Sequence, residues 1–300
     1  MKKQALQMKL SEQRIHEYAQ KILGKKDITL APFGRNNWVF LTEDLVLTIP
    51  KDPRVKSYGI RVAAMQFLSK NGIPTTEVVK YSSEKSEYPF EYLIIKRLDA
   101  HPIDIALLSS SDRLNVHRNS GKTLASIHKL QAQSFGRLDE QLKGSHASWA
   151  DFVNSFFTKS LDELCKHDNI KNAYATRIKD RYNLLKPVLQ RTKTPCFLHG
   201  DYHIGNLLFK NLEVAGVLDL DIVMSGDQYW DIAHYQHTFN IEREQGMAEF
   251  RRGYDLEEDP AREQLYALVL WTKKAASQST KRPEALKETL PELERILRGG

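Results

Sequence analysis

Apolar positions Ile15, Tyr18, Ala19, Ile22 and Leu23 recur at spacings of three and four, so residues 1–24 read as a helix that Gly24 stops. The period then changes. ITLAPFG, NWVFLT and DLVLTIP are short, rich in β-branched and aromatic residues, and predict strands between residues 28 and 49. Thr42-Glu43-Asp44 can turn a hairpin between the last two, and Pro50 and Pro53 break the pattern. Residues 59–70 predict a helix ended by Asn71-Gly72 and Pro74, and TEVVKYS and EYLIIKRL predict two more strands. The first hundred residues are therefore expected to form a small antiparallel sheet with one inserted helix.

Past Leu98 the helical period dominates. Helices are predicted over residues 114–130, 149–164 and 173–189, and again from 231 to 297. Two short apolar strands, CFLH and VAGVLDL, flank the segment GDYHIGNLLF. The shift near Asp99 divides the chain into residues 1–98 and 99–300, an α+β arrangement of a sheet-rich lobe followed by a larger, mostly helical one. There is no internal repeat.

Composition fits a globular chain, with 41% hydrophobic and 27% charged residues. No apolar run approaches the roughly 20 residues that span a bilayer, and the basic N-terminus never reaches an apolar signal core, so no membrane role is expected. Cys165 and Cys196 form neither metal spacing nor a disulfide framework, which favours a reducing cytoplasm. The net charge of +6 is spread among acids without an arginine-rich block, so no nucleic-acid partner is expected; a polyphosphate suits it equally.

Candidate chemistry concentrates in His199-Gly200-Asp201-Tyr202-His203-Ile204-Gly205-Asn206. Phosphoryl transfer needs a carboxylate beside the incoming hydroxyl and oxygen ligands for Mg²⁺, and Asp201-x-x-x-x-Asn206 in a strand-end loop supplies both. Asp219 follows the apolar run Val214 to Leu218, where an acid is costly unless paired or bound to a cation. Gly226-Asp227-x-x-x-Asp231-Ile232-Ala233 comes next.

HGDYHIGNLLF, GVLDLD and GDQYWDIA together resemble the aminoglycoside phosphotransferase family, which has a protein-kinase-like two-lobe fold. Gly121 to Leu130 is similar to that family's long helix before the catalytic loop, and Gly34 to Phe40 to its phosphate-covering hairpin. The resemblance implies an enzyme that moves the γ-phosphoryl of ATP or GTP to a small-molecule hydroxyl, with an antibiotic as the first acceptor class. A non-catalytic nucleotide-binding module is the alternative. By the same resemblance Asp201 would orient the hydroxyl and accept its proton, Asn206 and Asp219 would bind Mg²⁺, and His199 would buttress the loop. Gly34, Arg35, Asn36 and Asn37 would lie over the phosphates, the backbone near Lys96 and Leu98 would meet the purine, and Asp227 and Asp231 would be structural.

The upper lobe departs from the family. Its usual strand Lys falls on Thr48, and Arg61 stands where the partner Glu belongs, so Arg61 is expected to contact the phosphates in place of the Lys. Lys51 has an odd offset from Thr48 and points to the other strand face, so it substitutes for the Lys only if the strand has already ended at Pro50. Asp221 is a further metal ligand if the strand stays extended, or a turn residue. His203 either touches substrate or faces solvent. His234, His237, Trp230 and Tyr235 either line an acceptor pocket or pack a helix. His128 reads as a core-edge residue, and Asp255 to Asp259 as a solvated linker.

Overall fold

In the computed structural model residues 11–298 are described, apart from 33, 35, 53–57, 85, 167–169, 171 and 238–242. The first ten residues of the predicted N-terminal helix lie outside that set. The remainder forms α1 (Glu12–Leu23), with Ser11 accepting the Arg14 N–H at 3.3 Å and Gly24 in the left-handed conformation at its end.

The upper lobe is one antiparallel sheet in the order β1-β2-β3-β5-β4, made of β1 (Thr29–Leu30), β2 (Asn37–Leu41), β3 (Leu45–Pro50), β4 (Val78–Ser82) and β5 (Tyr92–Lys96). The inserted helix is α2 (Tyr58–Lys70). Alternation along β2, β3 and β5 buries Phe40, Leu47, Ile49, Tyr92 and Ile94 against α1, forming a small core with Ile15, Ala19, Tyr88 and Phe90. α2 turns elsewhere. Its Tyr58, Ala64, Met65 and Leu68 belong to the large core of the lower lobe.

That lower lobe contains α3 (Ser110–His128), α4 (Trp149–Cys165), α5 (Asn172–Leu185), α6 (Tyr229–His237), α7 (Arg243–Tyr254), α8 (Pro260–Lys281) and α9 (Leu286–Leu297). α5 stops short of the predicted residue 189. Pro187 cannot donate to an α-helical ladder, and residues 186–191 tighten into a 3₁₀ turn. Among the described residues six strands thread the lobe: β6 (Phe135–Leu138), β7 (Gly144–His146), β8 (Cys196–Leu198), β9 (Leu207–Lys210), β10 (Glu213–Val217) and β11 (Met224–Gly226). β9 and β10 pair as a hairpin, and the other four form a sheet in the order β7-β6-β11-β8. Only β8 and β10 were expected from the sequence. β9 sits inside the segment read as a loop, and β6, β7 and β11 are too short to show a period.

α3 and α7 pack at a separation that only glycine allows. A Cβ on Gly121 would lie 2.1 Å from the Phe250 carbonyl oxygen. Gly121→Ala is therefore expected to force the helices apart and cost about 1–3 kcal/mol. Chemical denaturation of the two proteins measures the difference, and equal midpoints would show that the contact yields without cost.

Candidate active site

β8 delivers His199 to the end of a buried strand, and the chain turns at Gly200. Its φ of +86° and the 2.2 Å that would separate a Cβ from the Ile222 carbonyl oxygen both require glycine. The bend is pinned from α6. The fully buried carboxylate of Asp231 accepts the His199 N–H at 2.7 Å, the Gly200 N–H at 2.8 Å and the His128 Nε2 at 3.1 Å. Burial would raise the Asp231 pKa, but the His128 hydrogen bond and the nearby imidazoles outweigh it and lower it. His128, expected at the edge of the core, is buried and bridges Asp231 to the Tyr254 hydroxyl, 2.7 Å from its Nδ1. Asp227 caps the start of α6 through the Tyr229 N–H and accepts the Thr192 and Tyr266 hydroxyls at 2.6 and 2.9 Å.

The loop and the strand carrying Asp219 are stitched together. Asn206 donates its side-chain amide to the Asp201 carbonyl at 2.9 Å, and the Leu218 N–H donates to the Asn206 carbonyl at 2.9 Å. On the other side the His199 Nε2 lies 2.7 Å from the Leu218 carbonyl, while its Nδ1 faces the Asp201 N–H at 3.3 Å. These partners assign the neutral ring with its proton on Nε2. Burial lowers the His199 pKa, in keeping with a neutral ring. Asp201, Asn206 and Asp219 are thus joined through backbone on one continuous scaffold.

The three groups sit in different electrostatic surroundings. Desolvation pushes the Asp201 pKa up, but His203 and His234 overcome it and hold the carboxyl far below its usual range. His234 Nδ1 lies 3.3 Å from Asp201 Oδ1, and His203 Nε2 lies 3.8 Å from Oδ2. Asp219 is open to solvent by surface area, yet enough protein surrounds it for desolvation to raise its pKa, helped by the Asp221 charge. A carboxylate raised in this way is stabilised by a cation. Mg²⁺ takes hard oxygen ligands and is usually held by one or two protein groups plus substrate phosphates. Asp219 and the side-chain oxygen of Asn206 fit that donor set. Among the described residues there is no group of three or more His, Cys, Asp or Glu that would make an all-protein cage.

Asp219 has φ 58° and ψ 54°, and the chain then tightens into a 3₁₀ turn over residues 220–222. The extended-strand geometry considered for Asp221 is therefore absent. Asp221 instead receives Arg61 of α2, with Nε–Oδ1 at 2.6 Å and Nη2–Oδ2 at 2.5 Å. Desolvation would lower the Arg61 pKa, and Asp221 raises it instead. The Arg61 guanidinium also lies 5.0 Å from the Tyr58 ring, whose hydroxyl donates to Asn37 Oδ1 at 2.7 Å.

The other upper-lobe residues are placed as follows. Lys51, just past β3, puts its Nζ 2.7 Å from the Gly34 carbonyl and 4.9 Å from the Trp38 ring, and donates its N–H to the Asn36 carbonyl at 2.9 Å. Sequence reasoning did not assign this cation to the hairpin. Arg35 lies outside the described residues. Thr48 is buried, and its hydroxyl donates to the Leu93 carbonyl at 3.3 Å. The Lys96 N–H donates to the Glu77 carbonyl at 2.9 Å, its carbonyl accepts the Thr76 hydroxyl, and its Nζ pairs with Glu77 at 2.5 Å. Leu98 packs on β10, where a Cβ on Gly216 would lie 2.5 Å from its Cδ1. Trp230 and Tyr235 are core residues, and His237 Nδ1 accepts the Trp271 indole N–H at 2.9 Å. Asp259 caps α8, as a linker running into Pro260 suggests.

Comparison with known proteins adds the following. A family model described as "Phosphotransferase enzyme family" matches residues 27–268. Acyl-CoA dehydrogenase family member 11 of Mus musculus is 24% identical over 170 residues, which is 54% of this chain and 20% of that protein. A probable aminoglycoside 3'-phosphotransferase of Lactococcus lactis subsp. lactis (strain IL1403) is 30% identical over 106 residues, covering 35% of this chain and 34% of that protein. The chain thus spans a fifth and about a third of these two curated relatives. A crystal structure of a thermostable mutant of aminoglycoside phosphotransferase APH(4)-Ia, in ternary complex with AMP-PNP and hygromycin B, superposes with TM-score 0.76. It is 16% identical, with 95% of this chain and 98% of that chain covered, a likeness of fold.

Because the folded-state pKa of Asp231 is lowered, its stabilisation is present above the unfolded carboxylate value and is lost as pH falls through the folded one. Asp231→Ala strands two backbone N–H groups and an imidazole nitrogen. It is expected to cost about 3–5 kcal/mol near pH 7, with the difference from wild type narrowing below about pH 4. Denaturant unfolding at the two pH values tests this; an equal loss at both would mean that the carboxylate charge contributes nothing.

Proposed function

This chain belongs to the phosphotransferase enzyme family, and on that premise we propose that it moves the γ-phosphoryl of ATP or GTP to a hydroxyl of a small molecule. The observation that carries the reading is the joined scaffold of Asp201, Asn206 and Asp219. Asp201, kept ionised by its two imidazole neighbours, accepts a hydrogen bond from the acceptor hydroxyl, aligns its oxygen for attack, and takes the proton late, as a loose transition state requires. Mg²⁺ held by Asn206 and Asp219 would neutralise phosphate charge. Such catalysis rests on alignment and charge, with no covalent intermediate on the protein.

Residues 1–98 supply the nucleotide lobe and residues 99–300 the acceptor side. Gly34, Asn36 and Asn37 cover the phosphates, with Arg35 given the same role by the family resemblance alone, and Lys51 adds a positive charge there. Thr48 lines the position of the usual Lys without replacing its charge, and Arg61, held in place by Asp221, is the α2 residue assigned to the phosphates. At the hinge the Lys96 peptide groups are engaged within the lobe, which passes the purine edge to Leu98. The two relatives named for aminoglycosides make an aminoglycoside or another hydroxylated antibiotic the first acceptor class. The reducing cytoplasm, where nucleotide and Mg²⁺ are abundant, is the proposed site of action. No described helix is long and apolar enough to cross a membrane. The altered Thr48 and Arg61 positions favour a nucleotide-binding module without turnover as the second reading.

A panel of aminoglycosides, macrolides, amino alcohols and sugars, screened with ATP and GTP, identifies the acceptor. Asp201→Ala and Asp219→Ala are each expected to lower turnover by about a thousandfold or more while leaving the thermal midpoint within a few degrees. Substantial turnover in either variant would refute the assigned roles. Mg²⁺-dependent nucleotide binding without transfer to any acceptor or to water would favour the second reading. Arg61→Ala is expected to weaken nucleotide binding by about tenfold or more, by loss of a charge-assisted contact; unchanged affinity would remove Arg61 from the phosphate site.

A further inference from the structure

α6 holds the catalytic loop at two points. Asp231 and His234 are three residues apart and so stack on one face of the helix. Asp231 takes the backbone N–H groups of His199 and Gly200, and the next position on that face reaches the following side chain, with His234 Nδ1 3.3 Å from Asp201 Oδ1. The loop's own His203 is 3.8 Å from Oδ2, beyond hydrogen-bond length. The imidazole of His234 rests beside the buried Trp230 ring, with centroids 5.9 Å apart, and its side chain is 21% exposed. It is fixed on one side by the core and open on the other to solvent.

We propose that His234 is a positioning residue for phosphoryl transfer, donating its Nδ1–H to Asp201 Oδ1 so that Oδ2 is the oxygen presented to the acceptor hydroxyl. This inference rests on the reading of Asp201 given above. A terminal carboxylate torsion is broad and two-fold, so an unheld Asp201, 38% exposed, would offer either oxygen over a wide arc. One donor on Oδ1 removes that freedom. Productive alignment is sensitive at this scale, since a displacement of about 1 Å costs roughly a hundredfold in rate. Against desolvation, His203 and His234 together hold the Asp201 pKa low.

The test uses the full chain, with ATP, Mg²⁺ and water as the acceptor, read as ADP release. His234→Ala, His234→Asn and His234→Gln are made in the wild type and in Asp201→Asn. The Asn amide nitrogen lies where imidazole Nδ1 lies, whereas that of Gln lies nearer Nε2. The expected result is a fall in kcat of about 10- to 100-fold for His234→Ala and His234→Gln. KM for ATP stays within about threefold, most activity returns in His234→Asn, and no further loss follows in the Asp201→Asn background. In ¹⁵N-histidine spectra of the wild type, Nδ1 of His234 carries the proton. An unchanged kcat in His234→Ala, an equal loss in both backgrounds, or a bare Nδ1 would each overturn the proposal while leaving Asp201 in place. Full turnover in Asp201→Asn would overturn both readings together.

Discussion

The site depends on one buried carboxylate. Asp231 has no solvent to satisfy it, so it must be satisfied by protein, and the groups that do so are His128 and the backbone N–H donors at the bend after β8. That requirement fixes the path of the chain through His199 and Gly200. The same bend sets His199 against the Leu218 carbonyl, while Asn206 takes the Leu218 N–H. Both peptide groups of Leu218 are therefore committed before Asp219 begins, and the direction in which Asp219 leaves the strand is determined by the loop that carries Asp201.

A second line of contacts crosses between the lobes. Asn37 holds Tyr58, Tyr58 lies against Arg61, and Arg61 holds Asp221, two residues past Asp219. Since α2 packs into the large lower core while the outer face of the sheet has a separate core with α1, this line is the electrostatic continuation of a hydrophobic seam. Thr48 is buried with its hydroxyl satisfied by the neighbouring strand, and the cation that meets the turn after Asp219 comes from a helix.

The fold was legible where local patterns are long. α3, α4 and α8 show their period over several turns, and the strands of the upper lobe alternate between prolines and polar turns. β6, β7 and β11 span three or four residues and are made by partners far away in sequence, so their pairing leaves no local trace. The site divides in the same way. Asp201 and Asn206 stood out because one short loop concentrates them, and Asp219 because it is an acid that ends an apolar run. Asp221 stayed open between a ligand and a turn residue because alternation cannot show where Asp219 leaves the extended region, and the 3₁₀ turn makes it the turn residue. His234 was ambiguous because its meaning depends on the rotation of α6, which a buried aspartate one turn earlier decides.

The backbone of Asp219 has an evolutionary consequence. Its left-handed conformation is one that few residues adopt without strain, and asparagine is among the best of them. Asparagine is also nearly isosteric with aspartate and lacks only the charge. A descendant of this chain that kept its shape but gave up its chemistry would therefore pass most easily through an amide at residue 219.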